Sequence, residues 1–433
     1  MVQRLNTASP NFEVNFKRLL NAKRETTPDV SAVVREIIAD VASRGDAALF
    51  EFTKKFDRFD VAAKGLAVSA QEIDEACAQV DHDTMKALEV AASRIRAFHS
   101  KQLPQDLDYV DDVGVRLGQV WQPVEAAGLY VPGGTASYPS SVLMNAVPAA
   151  VAGVSRLVMV VPTPDGKLNP LVLAAAKTAG ITEIYRIGGA QAVAALAHGT
   201  DTIMPVDMIV GPGNAFVAEA KRQVYGKVGI DSIAGPSEIL VVADKKNDPR
   251  WIAADLLSQA EHDTAAQSIL ITDDVHYAEM VSQAVEDLMA GLERKEIALE
   301  SWTKNGAIIL TDDLNSSATL INRLAPEHVE LAVDNPSRLQ EKIRNAGAIF
   351  LGRHTPEAIG DYVAGPNHVL PTARAARFSS GLSVYDFMKR TTFVGCTEES
   401  LRAIGPAAVR LAENEGLGAH ALSVAIRLKD GQK

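Results

Sequence analysis

The chain has 433 residues, 47% of them hydrophobic, and a formal net charge of -11. This length predicts two or more domains rather than one core. The acidic balance, without any Lys/Arg cluster, argues against nucleic acid or an anionic membrane as a partner. No apolar run reaches the roughly 18 residues of a spanning helix, and the polar first residues do not resemble a signal peptide. Two distant cysteines, Cys77 and Cys396, favour a reducing, cytoplasmic location without a disulfide.

The first 120 residues are predicted to form an arm followed by helices. Residues 1–25 are a short arm whose apolar side must pack on another part of the protein. Apolar residues at helical spacing then predict three helices: one that begins at Pro28 and ends at Gly45, one around Leu49, and one over residues 74–103. The apolar positions that carry these predictions are Phe12, Val14, Phe16, Leu19, Leu20, Val30, Val33, Val34, Ile37, Ile38, Val41, Leu49, Phe52 and Phe56.

The pattern changes near residue 120 to alternating strands and helices. A strand-like segment over residues 120–134 ends in a glycine turn, and strands at 156–161, 183–187 and 208–210 each precede a helix. Strands at 238–243, 268–272, 307–311 and 348–351 form a second block of the same type. Such alternation predicts two doubly wound parallel sheets. Ligands of these sheets usually bind at the carboxyl ends of the strands.

The last 50 residues are predicted to form a helical tail. Thr397 is a plausible N-cap of a first tail helix, and Gly405-Pro406 should interrupt that helix. A break at Gly416-Leu-Gly418 precedes a last helix over residues 420–429. Because the tail has no sheet of its own, we expect it to pack on the body or on another subunit.

One helix of the second block carries a polar stripe. Asp248 suits the N-cap and Pro249 the first helical position. Asp255, Ser258, Gln259 and His262 follow at i, i+3, i+4 and i+7. Gln259 and His262 lie side by side in the last turn, where the helix dipole favours a cation. The stripe is either a solvated face or half of a metal site that lacks an acid and a second histidine.

Three later motifs contain histidines in polar segments near the ends of elements. They are Pro326-Glu327-His328, the loop from Asp361 to His368, and the stretch from Glu415 to His420. Two histidines, an aspartate and a glutamine oxygen suit zinc or a similar ion. Adjacent Glu327 and His328 suit general acid–base chemistry if both face one pocket.

Gly211-Pro-Gly-Asn214 follows a strand and opens a helix, as a dinucleotide-binding turn does. Phe216 occupies the place of the third glycine, however, and no ribose-binding acid is evident about 20 residues on. Gly188-Gly189 is a second place where backbone could approach a ligand, and a helix-capping turn is the alternative for both. The absence of GxSxG disfavours a serine hydrolase, and Cys396 lacks the surroundings of a thiol nucleophile.

Taken together, the motifs that end at His262, His328, His368 and His420, with Gly-Pro-Gly-Asn214 and Ala-Gly-Pro-Ser-Glu238, resemble the histidinol dehydrogenase family over nearly the whole chain. The resemblance implies a zinc- and NAD-dependent enzyme. Its reaction would be the four-electron oxidation of L-histidinol to L-histidine via L-histidinaldehyde, the last step of histidine biosynthesis.

The resemblance also implies roles for individual residues. His328 would take the hydroxyl proton as hydride leaves, and Glu327 would activate the water that attacks the aldehyde. The zinc ligands would be Gln259, His262, Asp361 and His420. Substrate would contact these four together with Ser237, His328, His368 and Glu415. NAD would contact Tyr130, Gln191 and Asn214.

The fold class that follows is α/β: two doubly wound, incomplete Rossmann-like domains, a short N-terminal arm and a helical C-terminal tail. The predicted division is 1–25 for the arm, 26–128 with 237–381 for the catalytic domain, 129–236 for the NAD-binding domain, and 382–433 for the tail. The resemblance implies a homodimer in which the tail crosses to the partner, so that Glu415 and His420 complete the neighbour's site.

Three other functions stay open from the sequence. They are a dehydrogenase of the same family with another small hydroxylated substrate, such as a sulfonated diol, a metal-dependent hydrolase with Glu327 as base, and a catalytically silent zinc-binding protein.

Overall fold

The computed structural model describes residues 2–22, 30–133, 138–233 and 235–429. The chain forms two compact units. The first unit contains residues up to 101 and residues 125–387, and the second contains residues 102–124 and those from 388 onward.

The elements are as follows. The strands are β1 (Gln3–Asn6), β2 (Leu107–Val110), β3 (Arg116–Pro123), β4 (Ala126–Tyr130), β5 (Arg156–Val160), β6 (Glu183–Tyr185), β7 (Met208–Val210), β8 (Gly229–Ile230), β9 (Glu238–Ala243), β10 (Gln267–Thr272), β11 (Ala307–Leu310), β12 (His328–Ala332), β13 (Ala348–Leu351) and β14 (Met388–Gly395). The helices are α1 (Phe12–Asn21), α2 (Ser31–Arg44), α3 (Asp46–Phe56), α4 (Val61–Lys64), α5 (Ala70–Cys77), α6 (His82–Ser100), α7 (Pro139–Ala152), α8 (Pro170–Ala179), α9 (Gly189–His198), α10 (Ala215–Val224), α11 (Pro249–Ala260), α12 (Val275–Met289), α13 (Lys295–Asn305), α14 (Ser317–Leu324), α15 (Pro336–Gln340), α16 (Glu357–Tyr362), α17 (Glu398–Asn414) and α18 (Gly418–Lys429).

The first unit contains two parallel sheets with the same internal order. One runs β6-β5-β4-β7-β8, and the other runs β1-β11-β10-β9-β12-β13. Counted from β4 and from β9, each sheet has the order 3-2-1-4-5, which is a Rossmann order without its sixth strand. In each sheet the strand order therefore reverses between strands 1 and 4, at β4/β7 and at β9/β12. The predicted pair of incomplete Rossmann-like sheets is confirmed.

Alternating side chains bury both faces of the six-stranded sheet. Along β9, Ile239 and Val241 pack with the helices α11 to α13. Leu240 and Val242 point the other way and pack with α1 and α14. Burial on both faces explains why the strands of this block are almost continuously apolar.

The N-terminal arm belongs to this sheet. β1 extends the sheet as an edge strand parallel to β11, and Phe12, Phe16 and Leu19 of α1 are buried against one face. Val14 remains 53% exposed, so the apolar side of the arm is narrower than its sequence suggests.

The helices that follow the arm pack elsewhere. Val34, Ile37 and Val41 of α2 are buried with the five-stranded sheet and α9. The division into domains drawn from the sequence, which placed residues 26–128 with the catalytic domain, stays a prediction. Pro28 lies outside the described residues.

The second unit corrects the prediction of a tail without a sheet. β14 pairs antiparallel with β3 along eight residues, and β2 flanks β3 to complete a three-stranded sheet. Thr397 caps α17 as predicted, with its hydroxyl accepting the N–H of Ser400 at 3.1 Å. The predicted interruption at Gly405-Pro406 is wrong, because α17 continues through Pro406. Gly405 instead allows close packing of α18, since a Cβ there would lie 3.0 Å from Leu428.

Three other predicted elements differ from those in the structure. The single strand expected over residues 120–134 is two strands, β3 and β4, in different sheets, and Gly134 lies outside the described residues. The helix expected over 74–103 is divided between α5 and α6. β12 was not predicted, since its five residues follow a proline and contain two polar side chains. Both cysteines are free, as expected, and none of the described helices is long and apolar enough to cross a membrane.

Candidate active site

Most of the predicted catalytic residues lie at the amino edge of the six-stranded sheet. His328, the first residue of β12, pairs with Ile239 on one side and Ala348 on the other. Three neighbouring strands therefore begin at the same level. Ser237 immediately precedes β9, so it reaches the same edge.

Two glutamates hold this edge together. The N–H of Glu238 donates to Glu327 Oε2 at 2.9 Å, and the N–H of Glu327 donates to Glu238 Oε2 at 3.3 Å. The N–H of Ala373 also donates to Glu238, at 3.2 Å. Both carboxylates are buried and accept hydrogen bonds from backbone N–H groups at the start of the strands. The reciprocal bonds hold the Glu327-His328 backbone in place.

The hydrogen bonds of His328 define its tautomer. Nδ1 lies 2.9 Å from the carbonyl oxygen of Glu238, and a carbonyl can only accept, so Nδ1 carries the proton. Nε2 is then unprotonated, and it is buried without a hydrogen-bond partner among the described residues. Burial lowers the pKa of His328 to about 3, so the imidazole is neutral near pH 7. A neutral imidazole with a buried lone pair is equipped to accept a proton.

The helix α11 brings Gln259 to this edge. Asp248 caps α11 by accepting the N–H of Arg250 at 2.8 Å, as predicted. Helices in such a sheet run antiparallel to the strands, so the end of α11 lies at the start of β9 and β12. Gln259 is fully buried, and its amide nitrogen faces Glu357 Oε1 at 2.5 Å while its oxygen faces the N–H of Glu238 at 3.2 Å. The sequence placed His262 in the last turn of this helix, but α11 ends at Ala260, so His262 lies in the turn that follows and is exposed. Desolvation by the surrounding protein lowers the pKa of its imidazole.

Helix α16 supplies two acids to the same place. Glu357 and Asp361 are four residues apart and share one helix face. Asp361 Oδ1 lies 3.9 Å from His328 Nε2, and Glu357 Oε1 lies 3.3 Å from His328 Nδ1. His328, Glu357 and Asp361 form the one group of described residues in which three potential ligand atoms lie within 4.8 Å of one another. Arg94 of α6 steadies the end of α16 by donating to the carbonyls of residues 363 and 364 at 2.5 and 3.2 Å.

Further acids make this region unusually rich in buried carboxyl groups. Burial raises the pKa of Asp255 and of Asp361 to about 6. Burial first, then repulsion from neighbouring carboxylates, raises the pKa of Glu330 and Glu357 well above the ordinary range. A divalent cation bound beside these groups would favour their ionised forms, so the cluster of carboxyl groups and imidazole nitrogens suits such a cation.

His368 connects this region to the five-stranded sheet. Its Nδ1 lies 3.0 Å from the carbonyl oxygen of Asp361, and its Nε2 lies 3.3 Å from the hydroxyl of Ser141 in the first turn of α7. Burial lowers the pKa of His368 to about 4. Because α7 follows β4, His368 lies between the amino edge of the six-stranded sheet and the carboxyl edge of the five-stranded one.

The predicted cofactor residues lie at that carboxyl edge. Tyr130 ends β4, and its hydroxyl accepts the N–H of Gly189 at the start of α9, at 3.0 Å. Burial raises the pKa of Tyr130 to about 12. Gln191 is buried in the first turn of α9. Asn214 caps α10 through Oδ1, which accepts two N–H groups at 3.1 and 3.2 Å, so its amide NH₂ is the part that could donate to a ligand.

Glu415 and His420 belong to the second unit. Glu415 ends α17, and His420 lies in the first turn of α18. Both are exposed on the turn between these helices. The structure thus brings together Ser237, Gln259, His262, Glu327, His328, Asp361 and His368 in the first unit, and it presents Glu415 and His420 on the second.

Three buried acids were missed from the sequence. Glu357 was detectable, because it lies one helical turn before the predicted ligand Asp361 and follows a proline. Glu238 adjoins Ser237 within a motif that was noted. Glu330 gave no signal, because a glutamate in the unpredicted strand β12 has the pattern of a surface residue.

Three comparisons with known proteins agree with one another. The chain matches the family model for histidinol dehydrogenase over residues 20–428. It is similar to the histidinol dehydrogenases of Rhodospirillum rubrum, at 64% identity over 432 residues and 100% of both chains, and of Ruegeria pomeroyi, at 63% over 428 residues and 99% of both chains. It is also similar to the crystal structure of histidinol dehydrogenase from Elizabethkingia anophelis, with a TM-score of 0.95, 37% identity, and coverage of 100% of this chain and 99% of that one.

Proposed function

Because this chain belongs to the histidinol dehydrogenase family, we propose that it oxidises L-histidinol to L-histidine through L-histidinaldehyde, as the last step of histidine biosynthesis. The observation that carries the proposal is the buried Glu327-His328 pair beside a cluster of metal-ligand side chains. The named relatives are histidinol dehydrogenases, so a rival substrate such as a sulfonated diol has no support from them.

We propose one zinc ion per subunit, held by Gln259, His262, Asp361 and His420. The donor set of imidazoles, a carboxylate and an amide oxygen suits zinc. When bound, zinc would hold the nitrogens of the substrate, and NAD would accept the hydride. The buried carboxyl groups support this assignment, because a divalent cation would offset their mutual repulsion. Glu357 would orient Gln259 through the amide nitrogen, and the amide oxygen, which also faces the N–H of Glu238, would offer its second lone pair to the metal.

His328 would act as the base for alcohol oxidation. Its Nδ1–H is fixed by the carbonyl of Glu238, so its Nε2 lone pair points into the polar pocket beside Asp361. Removal of the hydroxyl proton by Nε2 pushes electron density onto the carbinol carbon as its hydride leaves. Burial keeps the base unprotonated before each turnover, and an ionised Asp361 beside Nε2 would stabilise the imidazolium that forms when the proton is taken.

Glu327 would activate water for the second oxidation. Its carboxylate lies 3.7 Å from His328 Nδ1 and is held by the N–H of Glu238. A carboxylate next to the first base can remove a proton from water that attacks the aldehyde. The resulting hydrate then gives up the second hydride, and one pocket serves both steps without moving the substrate.

The cofactor would lie against Tyr130, Gln191 and Asn214 at the switch point between β4 and β7. Ligands of doubly wound sheets bind in this crevice. The N-termini of α9 and α10 also point toward it, and their partial positive charge favours a pyrophosphate. His368, which contacts Ser141 near this edge, would lie between the cofactor and the metal.

We propose a cytoplasmic homodimer in which Glu415 and His420 complete the partner's site. Exposed apolar side chains on the same two helices and on the turn between them support a covering partner. They include Leu411, Leu417, Leu422 and Ile426, with exposures of 64, 43, 60 and 48%. An apolar face of this kind is expected to be covered by protein.

Subunit complementation tests the shared site. A chain with His328→Asn and a chain with His420→Asn should each be inactive. Mixed dimers of the two should regain activity, because one of their two sites then has both histidines intact. No recovery after refolding the chains together would place His420 in the site of its own chain. Dilution to monomers should likewise abolish wild-type activity.

The stoichiometry of cofactor reduction tests the reaction. Histidinol added in limiting amount to the enzyme with excess NAD should form two NADH per histidinol, with histidine as the product. One NADH per histidinol, or hydrolysis without NADH, would contradict the proposal. The same sample should contain one zinc per chain by metal analysis.

A further inference from the structure

A buried ion pair lies directly beneath the Gly211-Pro-Gly-Asn214 loop. Lys221 of α10 and Asp231 after β8 contact each other, and their side chains are only 3 and 4% exposed. Lys221 Nζ donates to the carbonyl of Gly211 at 3.0 Å, and Asp231 Oδ2 accepts the N–H of Gly211 at 2.8 Å. The pair therefore holds both polar backbone groups of the residue that opens the loop.

Only glycine fits at position 211. Its φ is +112°, and a Cβ on it would lie 2.1 Å from the carbonyl oxygen of Tyr130. The backbone after β7 thus passes close to the end of β4, at the point where the strand order reverses. A carbonyl and an N–H buried this closely need partners in the protein, and Lys221 and Asp231 provide them.

The position of Asp231 is informative. It comes 20 residues after Gly211 at the end of the next strand, where a standard dinucleotide fold has an acid that binds the ribose. Here one carboxylate oxygen accepts the N–H of Gly211 and the other contacts Lys221. Asp231 thus has the spacing of the fingerprint acid, but both of its carboxylate oxygens have partners within the protein.

A buried ion pair is a poor means of stabilising a fold, because desolvation offsets most of the attraction between the charges. Its value lies in holding groups in a fixed geometry. We infer that Lys221 and Asp231 are positioning residues that hold the Gly211–Asn214 loop, and with it the N-terminus of α10, in the shape that binds the dinucleotide cofactor. This inference rests on the proposed cofactor site.

The test separates loop position from fold stability. The double variant Lys221→Met/Asp231→Leu replaces the pair with apolar side chains, a change that buried pairs often tolerate. Because it also leaves the N–H and carbonyl of Gly211 without side-chain partners, it should melt below the wild type, but it should fold and keep its zinc. Its dissociation constant for NADH, from fluorescence titration of the zinc-loaded and zinc-free protein, should rise at least about tenfold. A folded double variant with wild-type NADH affinity would overturn the inference.

A second variant covers the case in which the double variant does not fold. Asp231→Glu keeps the charge pair but lengthens the side chain, which displaces the acceptor from the N–H of Gly211. It should fold, keep zinc and the KM for histidinol, and still bind NADH more weakly. Wild-type NADH affinity in this variant would equally overturn the inference.

Asn214→Asp distinguishes failure of the inference from failure of the proposed cofactor site. If Asn214→Asp weakens NADH binding and the pair variants do not, the inference fails and the site stands. If neither Asn214→Asp nor the pair variants change the affinity for NADH, the proposed cofactor site fails, and the inference fails with it. If the pair variants alone weaken NADH binding, the inference holds and the role of Asn214 is wrong.

Discussion

The two parallel sheets of the first unit share a strand order but have the side chains of the proposed sites at opposite ends. In the five-stranded sheet, Tyr130 and Asn214 follow the carboxyl ends of β4 and β7. In the six-stranded sheet, Glu327 and His328 begin β12, at the amino end of the equivalent strands. At the carboxyl end of β9 and β12, Asn247 fills the crevice by donating to the carbonyls of Asp244 and Ala332, at 2.8 and 2.7 Å.

The difference follows from the charge of each edge. The carboxyl edge of such a sheet is flanked by helix N-termini, whose partial positive charge suits an anion such as a pyrophosphate. The amino edge is flanked by helix C-termini, whose partial negative charge suits a cation. Gln259 in the last turn of α11 and His262 just beyond it are therefore well placed for a metal, while the start of α10 is well placed for a dinucleotide. One fold used twice can thus provide both kinds of site.

The largest effect should come from removing a metal ligand at the amino edge. His262→Asn should reduce the zinc content from one per chain to nearly none and abolish both oxidations, while NADH still binds at the other edge. Metal analysis and NADH titration of the same sample measure the two edges separately. Full zinc in this variant would refute the ligand assignment.

His328→Asn should remove catalysis without removing the metal. Loss of a general base costs roughly 10²- to 10⁴-fold in turnover, and zinc content and NADH affinity should remain those of the wild type. Loss of zinc would instead show that His328, with Glu357 and Asp361, belongs to the metal site. This variant therefore decides whether His328 is a catalytic base beside the metal site or one of the metal ligands.

Glu327→Gln should separate the two half-reactions. The amide keeps an oxygen that can accept the N–H of Glu238, so the edge remains intact, but it cannot take a proton from water. Aldehyde oxidation should fall at least about tenfold more than alcohol oxidation, when each is measured with its own substrate. Equal loss in both would contradict the division of roles between Glu327 and His328.

Asn214→Asp should affect the carboxyl edge alone. Aspartate preserves the oxygen that caps α10, but it removes the amide donor and adds a negative charge near the expected pyrophosphate. The KM for NAD should rise about tenfold, a loss of about 1.4 kcal/mol, with zinc content unchanged. A change in zinc content would show that the two edges are not independent.

The smallest effect should be a pH dependence of stability at the amino edge. Because burial raises the pKa of Asp255 to about 6 and raises that of Glu330 well above its ordinary value, the folded chain binds more protons than the unfolded chain. Metal-free protein should therefore lose on the order of 1–3 kcal/mol of stability as the pH rises from about 4 to above 6. Denaturant unfolding at several pH values measures this slope.

Asp255→Asn should flatten that slope, whereas the exposed Asp312→Asn should leave it unchanged. Stability that rises over the same pH range would show that these acids are ionised in the folded metal-free protein.

The sequence by itself determined the local chemistry of this protein. Asp248 before Pro249 started α11, alternating apolar blocks produced both parallel sheets, and the helical period placed Gln259 in the last turn of α11. These features depend only on residues that are close together in the chain, so they can be predicted from the sequence. The helix ends that carry most of the polar groups were visible for the same reason.

Only the tertiary structure decided which distant groups meet. The pairing of β12 between β9 and β13 placed His328 at a buried edge, and it fixed the tautomer of His328 through the carbonyl of Glu238. Tertiary packing also buried Glu330 and Glu357 where their pKa values rise. In the other sheet it turned Asp231 inward toward Lys221. Each of these outcomes depends on desolvation and on partners many residues away, and neither quantity is encoded in local spacing.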